Sequence, residues 1–341
     1  MTSPTLIFPR RAGGGELGLG LQGNKAPAEY ARLARQAEQY SFDVLTVFSD
    51  LMYQPAIVPL LVAASNSIRL RLGPACLNPF TLHPVEIAGQ IAALDLASNG
   101  RAYLGLARGA WLDRIGIEQP RPVRALREAA DIVRLLLSGG AGGYQGEVFS
   151  MEPGTRLQFE VQRQRVPLLI GTWSPKTAAL AGEIADEVKI GGTANPEMVR
   201  RMREWVDVGT RRAGRSPEDV AIVVGAVTVV AEDGAAARRL ARSAVAMYLD
   251  VVGRLDPTTD VPAGGTLADD VLDRFAMAGT PEQVISQANR LFEAGARRVE
   301  FGSPHGLTEE DGIRLLGERV LPRIASHAAR PSDHQGLRQS T

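Results

Sequence analysis

From Leu17 to Ile324, short apolar runs alternate with longer stretches whose apolar residues recur at helical spacing. Runs this short suit strands buried on both faces, and the stretches between them suit helices with one buried stripe. Leu17 to Leu21 comes first, followed by Pro27 to Tyr40, where Tyr30, Leu33, Ala34 and Ala37 share a face. Asp43 to Phe48 precedes the helical Pro55 to Ser65, Ile68 to Cys76 precedes Pro84 to Ala97, and Arg101 to Leu106 precedes Pro122 to Leu137. Val166 to Ile170 then leads into Ser174 to Ala185, Asp186 to Ile190 into Pro196 to Ala213, and Val220 to Ala231 into Ala235 to Val252. Beyond a Pro/Gly/Thr loop at Asp256 to Gly265 come helical stretches at Leu267 to Ala276 and Pro281 to Ala294, a strand at Arg297 to Phe301 and a helix at Glu309 to Ile324. Eight strand–helix units in roughly 300 residues predict an α/β protein, a (β/α)8 TIM barrel with insertions. A doubly wound sheet would more often use five or six strands.

The rhythm breaks between Gly139 and Arg165, where Tyr144 to Met151 and Leu157 to Val161 predict a small antiparallel hairpin outside the main sheet. The domain reading is a flexible lead-in over 1–15, one barrel domain over 16–325 with an insertion near 139–165, and a disordered polar tail over 326–341. Basic and acidic residues balance at 38 each, which gives no support to a nucleic-acid or membrane-surface role. Cys76 is the single cysteine, so an internal disulfide and a cysteine-cluster metal site are excluded; of the four histidines, His327 and His334 fall in the polar tail. No metal is expected, and a reducing cytoplasm is the default compartment. With no apolar run of about 18 residues and no signal peptide in view, the expectation is a cytoplasmic homodimer that acts on a small molecule.

Gly18-Leu19-Gly20-Leu21-Gln22-Gly23 matches the dinucleotide fingerprint, with Asp43 at the spacing of its acidic residue. The match is a decoy: the fingerprint must follow a strand, whereas these glycines lie inside the first one. More informative is Arg108, alone between small residues where the fourth strand ends, because the C-terminal ends of barrel strands face the active site. It is either a ligand for an anion or an exposed loop arginine. Gly171-Thr172-Trp173-Ser174-Pro175-Lys176 ends a strand and opens a helix with Ser174 as N-cap, leaving N–H donors and a partial positive charge for an anion. Gly191-Gly192-Thr193 offers a second backbone approach, and together with Arg108 these loops compose a phosphate site. At the end of the third strand His83 is either a base or a helix-start residue. Asp50, closing the second strand, is catalytic, a hydrogen-bond partner for a ligand, or a cap of the next loop, and Asp95 is structural. Trp111 and Trp173 either wall an aromatic ligand or plug the barrel top.

In this order the motifs resemble the luciferase-like superfamily of flavin and deazaflavin barrels over nearly the whole chain. The matching segments are Ser49-Asp50, Gly73-Pro74-Ala75-Cys76 with Asn78-Pro79, Leu94-Asp95 with Gly100-Arg101 and Leu104-Gly105-Leu106, Ala181 to Asp186, and Gly279-Thr280-Pro281-Glu282. The chain looks most like the methylenetetrahydromethanopterin reductase branch, which uses the deazaflavin coenzyme F420. The resemblance implies a hydride passed between the deazaflavin C5 and an organic substrate, such as a tetrahydropterin-like or other imine or alkene compound. It also implies a non-proline cis peptide at Ala75-Cys76 against the ring, with Asp50 near the ring and Asn78 on the same bulge. Arg108, Gly109, Gly171 to Lys176 and Gly191-Gly192 would surround the phosphate side chain, and Lys25, Arg108, Arg114 or Lys176 would meet the cofactor's acidic tail. Three departures concern the acid/base groups: Leu51 stands where relatives carry histidine after the aspartate, Ala110 where the dehydrogenases have glutamate, and Gly20 where the reductases have one. Either the acceptor is then already cationic, or Asp50, Tyr53 or His83 serves as proton donor. An FMN monooxygenase and a non-catalytic flavin-binding barrel are the alternatives.

Overall fold

The computed structural model describes residues 15–259 and 267–327; all but the last residue of the lead-in expected over 1–15, all but the first two of the tail expected over 326–341, and part of the Pro/Gly/Thr loop lie outside them. The strands are β1 (Glu16–Leu21), β2 (Val44–Phe48), β3 (Arg71–Ala75), β4 (Leu104–Leu106), β5 (Tyr144–Gln145), β6 (Ser150–Met151), β7 (Leu168–Gly171), β8 (Glu187–Gly191), β9 (Ala221–Val230), β10 (Ala276–Gly279) and β11 (Arg298–Gly306). Parallel pairing runs in the order β3-β2-β1-β11-β9-β8-β7-β4. Bridges from Leu72 to Ala102 and from Leu77 to Leu106 join β3 to β4, so eight parallel strands close into the expected barrel.

Helices fill the returns between strands, and their starts explain why they begin where they do. Pro27, Pro84, Pro122, Pro175, Pro196 and Pro281 all sit in the first turn, where the missing N–H costs nothing and φ is already helical. Asn195, Asp233, Thr280 and Thr308 cap with their side chains, satisfying donors that the helix itself leaves unpaired. The main core lies between sheet and helices: Leu17, Leu19 and Leu21 of β1 are buried there, and with a side-chain period of two the alternate residues face the barrel axis.

Five expectations need correction. Leu157 to Val161 forms no strand; the hairpin is made by β5 and β6 alone. The helix expected through Ala276 stops at Phe275, and β10 follows it. β9 is long enough for two partners on one side, β8 along Ala221 to Gly225 and β10 along Val227 to Val230. The helix expected over Ala235 to Val252 breaks into Gly234–Ala246 and Leu249–Leu255, and the last helix carries a π turn at Leu316–Val320. β11 also outruns its expected end, with a register shift between Gly302 and His305 and a cis Ser303-Pro304 bond.

The barrel interior combines a column of charges with a small apolar cluster of Val44, Tyr103, Leu169 and Val223. At its lower end Arg71 bonds Glu16 at 2.8 Å and Glu187 at 3.0 Å, and Arg298 bonds Glu187 at 2.8 Å. One step up, Glu300 meets Arg298 Nε at 2.9 Å, accepts from Thr46 Oγ1 at 3.1 Å and pairs with Lys189. Three carboxylates thus face three cations, which is how buried charge is tolerated. Glu187 and Glu300 stay below the usual carboxylate range because these cations outweigh the burial that pushes both up.

Candidate active site

The mouth lies at the C-terminal ends of the strands, where loops are free to vary. Its floor is built of small residues. A Cβ on Gly20 would come within 2.7 Å of Phe48 Cζ, and one on Gly171 within 2.8 Å of Cys76 Sγ. Phe48 and Cys76 therefore occupy the space that these glycines leave. Beside Gly191 a Cβ would meet nothing within 4 Å, so the floor opens toward β8. The Ala75-Cys76 bond is cis, as the resemblance implied. Burial pushes the Cys76 thiol up to about 12, which leaves it protonated and unreactive near neutrality.

Asp50 stands half-buried at this floor, where its carboxylate accepts from Gln22 Nε2 at 3.0 Å. Burial raises its pKa above the ordinary aspartate value, against the opposing pull of the Gln22 bond and the Lys189 charge. A carboxyl held up in this way keeps its proton longer and suits general-acid work. Tyr53 is exposed at 46% and is tied to Asp50 by its backbone N–H. His83 is placed differently: its Nδ1 accepts from Val85 N at the start of helix Pro84–Ala97, and its ring packs edge-on against Phe149. That is the helix-start role, and no bond among the described residues joins it to Asp50 or Tyr53.

The anion end is assembled from loops that brace one another. Asn78 Oδ1 accepts from Phe80 N and Thr81 N, and its amide lies against Gly109, whose φ of 83° requires glycine. Gln119 Nε2 donates to the carbonyls of Arg108 and Gly109. Arg108 is exposed, and its guanidinium makes no hydrogen bond or ion pair among the described residues. Thr172 Oγ1 accepts from Ser174 N at 2.9 Å, while the Ser174 hydroxyl leaves the first turn of Pro175–Ile184 uncapped. Lys176 beside it is exposed and equally unpaired among the described residues.

The loop after β8 contributes space rather than donors. Gly192 N and Thr193 N both donate to Gly225 O, at 2.6 and 3.2 Å, so the backbone approach expected there turns inward. Trp173 Nε1 donates to Gly191 O at 3.0 Å and its ring packs against the core, as a plug does. Two of the four basic residues expected along an acidic tail are engaged: Lys25 pairs with Glu309 at 3.0 Å and Arg114 stacks on Trp111. The fingerprint glycines are explained too, since a Cβ on Gly18 would strike Glu300 Cγ at 2.7 Å.

Sequence reasoning missed Lys189, Glu300 and Gln22. The signal for the first two was present in Glu187-Val188-Lys189 and Arg298-Val299-Glu300, charges at period two inside apolar strands. Among the described residues no cluster of three or more His, Cys, Asp or Glu is arranged to hold a metal, and no helix is long and apolar enough to cross a membrane.

Known proteins share this architecture and sequence. A 5,10-methylenetetrahydromethanopterin reductase from Archaeoglobus fulgidus is 30% identical over 313 residues, 84% of this chain and 93% of the relative. The solved structure of a coenzyme F420 dependent tetrahydromethanopterin reductase from Methanopyrus kandleri superposes with a TM-score of 0.78 at 23% identity, covering 91% of this chain and 99% of that one. An F420-dependent secondary alcohol dehydrogenase, solved with an F420-acetone adduct, gives 0.77 at 20% identity over 93% of this chain and all of its own. Residues 6–298 match the family described as luciferase-like monooxygenases. On that match, and on a closed barrel whose glycine floor and cis Ala75-Cys76 bond lie where the motifs required them, the chain belongs to the luciferase-like family of oxidoreductases.

Proposed function

We propose that this protein is a coenzyme F420-dependent oxidoreductase that passes a hydride between the deazaflavin C5 and a small organic substrate. The observation that carries the reading is the mouth: a floor of Gly20, Gly171 and Gly191, open at Gly191, beside two cations unpaired among the described residues and an uncapped helix N-terminus. A flat ring needs the first, and a phosphodiester needs the second. The 30% identity to a methylenetetrahydromethanopterin reductase supports the deazaflavin and an imine- or alkene-like acceptor.

These residues fit the group. Ala75, Cys76 and Gly171 would lie against the ring, Asn78 would hold the bulge to Gly109, and Arg108, Thr172, Ser174 and Lys176 would take the phosphate. When bound, the deazaflavin supplies or accepts the hydride, while the protein orients and excludes water. Asp50 Oδ delivers the proton, with Gln22 fixing its orientation. The same reading takes the protein to be a cytoplasmic homodimer.

The test is to mix the purified protein with F420 reduced using deuterium at C5 and a panel of imines and activated alkenes. Appearance of deuterated product with return of the oxidised absorbance is the expected result. Oxygen consumption with reduced FMN and a hydroxylated product would overturn it in favour of a monooxygenase. One observation favours that second reading: with Lys25 and Arg114 engaged, fewer cations remain for an oligoglutamate tail that FMN lacks.

A further inference from the structure

Inside the barrel, Lys189 and Glu300 form a buried ion pair to which the proposed chemistry gives no part. Both side chains are 5% exposed or less. Lys189 rises from β8 along the barrel axis, its Cε 3.2 Å from where a Cβ on Gly225 would stand and its Nζ 5.4 Å from the centre of the Phe48 ring. It is thus the interior cation beside Phe48, and its charge acts on Asp50. Lys189 balances the third carboxylate of the interior, and Glu300 is held besides by Arg298 Nε and Thr46 Oγ1. Paired as it is with Glu300, the Lys189 ammonium still acts electrostatically on Asp50.

We propose that Lys189 and Gln22 are positioning residues for Asp50, holding its carboxyl in a charge state that a proton donor at the mouth can cycle through. The proposal rests on the reading of Asp50 as that donor. The surroundings of Asp50 are few. Gln22 faces it from the end of β1, the Cys76 thiol from the end of β3, Lys189 from β8 with Glu300 of β11 behind it, and Tyr53 follows on its own loop. Of these, only Gln22 and Lys189 favour the carboxylate, against burial, which favours the acid. Without either one the acid form is over-stabilised and the proton is given up too reluctantly. Fixed dipoles and charges around a donor are how its strength is set.

The test uses full-length apo-protein labelled at aspartate carboxyls, with Asp50 assigned through Asp50→Asn, and follows the titration by NMR. Gln22→Leu removes the hydrogen bond without touching the barrel interior. Lys189→Met combined with Glu300→Gln removes the ammonium together with its counter-ion, so that no lone charge is left to unfold the protein. Each should move the Asp50 titration upward by about one pH unit, and Lys189→Arg should restore it. The alkaline fall of turnover should move by the same amount. An unchanged Asp50 titration in folded Gln22→Leu and in the folded double variant would overturn the proposal. If the titration moves and the turnover limb does not, the coupling stands and the role of Asp50 as donor falls.

Discussion

Arg108 is the residue on which the anion site turns, and its legibility was partial. Its place at a strand end was visible in the chain, but the bracing of its backbone carbonyl by Gln119, eleven residues on, was not. Arg108→Ala should weaken cofactor binding by about 1.5–3 kcal/mol, roughly 10- to 150-fold, with the fold intact; unchanged affinity in an equilibrium titration would remove the assignment. Asp50 gives a stability test of opposite sign. Because burial lifts its folded pKa above the unfolded value, the folded state binds the proton more tightly, so stability falls as pH rises through that range. Asp50→Asn should therefore raise the melting temperature at neutral pH, with the gain vanishing in acid below the ordinary aspartate range. A melting temperature that drops at pH 7 would mean that Asp50 is a structural carboxylate. His83 shows the limit of reading residues singly: a histidine before proline looks the same in sequence whether it caps or catalyses, and only its bond to Val85 N separates the two.

At the scale of elements, the strands that carry the site were legible because they are short, apolar and followed by proline-started helices. The insertion was legible in its bounds but not in its pairing. Leu157 to Val161 has strand-like composition and no partner strand, while Ala276–Gly279 was hidden because Ala-Met-Ala continues a helical pattern as well as it starts a strand. What fastens the insertion is ionic. Arg163 bonds both oxygens of the fully buried Asp95 and the Ala102 carbonyl, so Asp95 is structural as expected. Arg163→Leu strands that buried carboxylate and should cost about 3–5 kcal/mol, read as a fall in the urea midpoint. A loss under about 1 kcal/mol would show the pair to be dispensable. Glu128 holds the other side: burial pushes its carboxyl up, but hydrogen bonds from the N–H groups of Phe149, Glu147 and Val148 outweigh it and hold it low. Its contribution is present above the ordinary glutamate range and lost as pH falls through its lowered value. Hydrogen exchange of residues 147–149 should rise in that acidic window before the barrel strands open, and simultaneous opening would contradict this.

The whole molecule is a barrel filled with charge and floored with glycine. The glycines were visible but misleading, since Gly18 in the imitated nucleotide fingerprint is there for a reason that lies about 280 residues away, in the volume of Glu300. Contacts of that separation cannot be read from local pattern. The cofactor, by contrast, is decided at the mouth, and one titration tests it most directly: the purified protein with reduced F420 and with FMN, at low and high salt. F420 should bind at least tenfold tighter, about 1.4 kcal/mol, with the margin shrinking in salt because Arg108 and Lys176 are exposed. FMN binding equally well at low salt, or neither binding at all, would contradict the deazaflavin reading, the first in favour of a monooxygenase and the second of a barrel without catalysis.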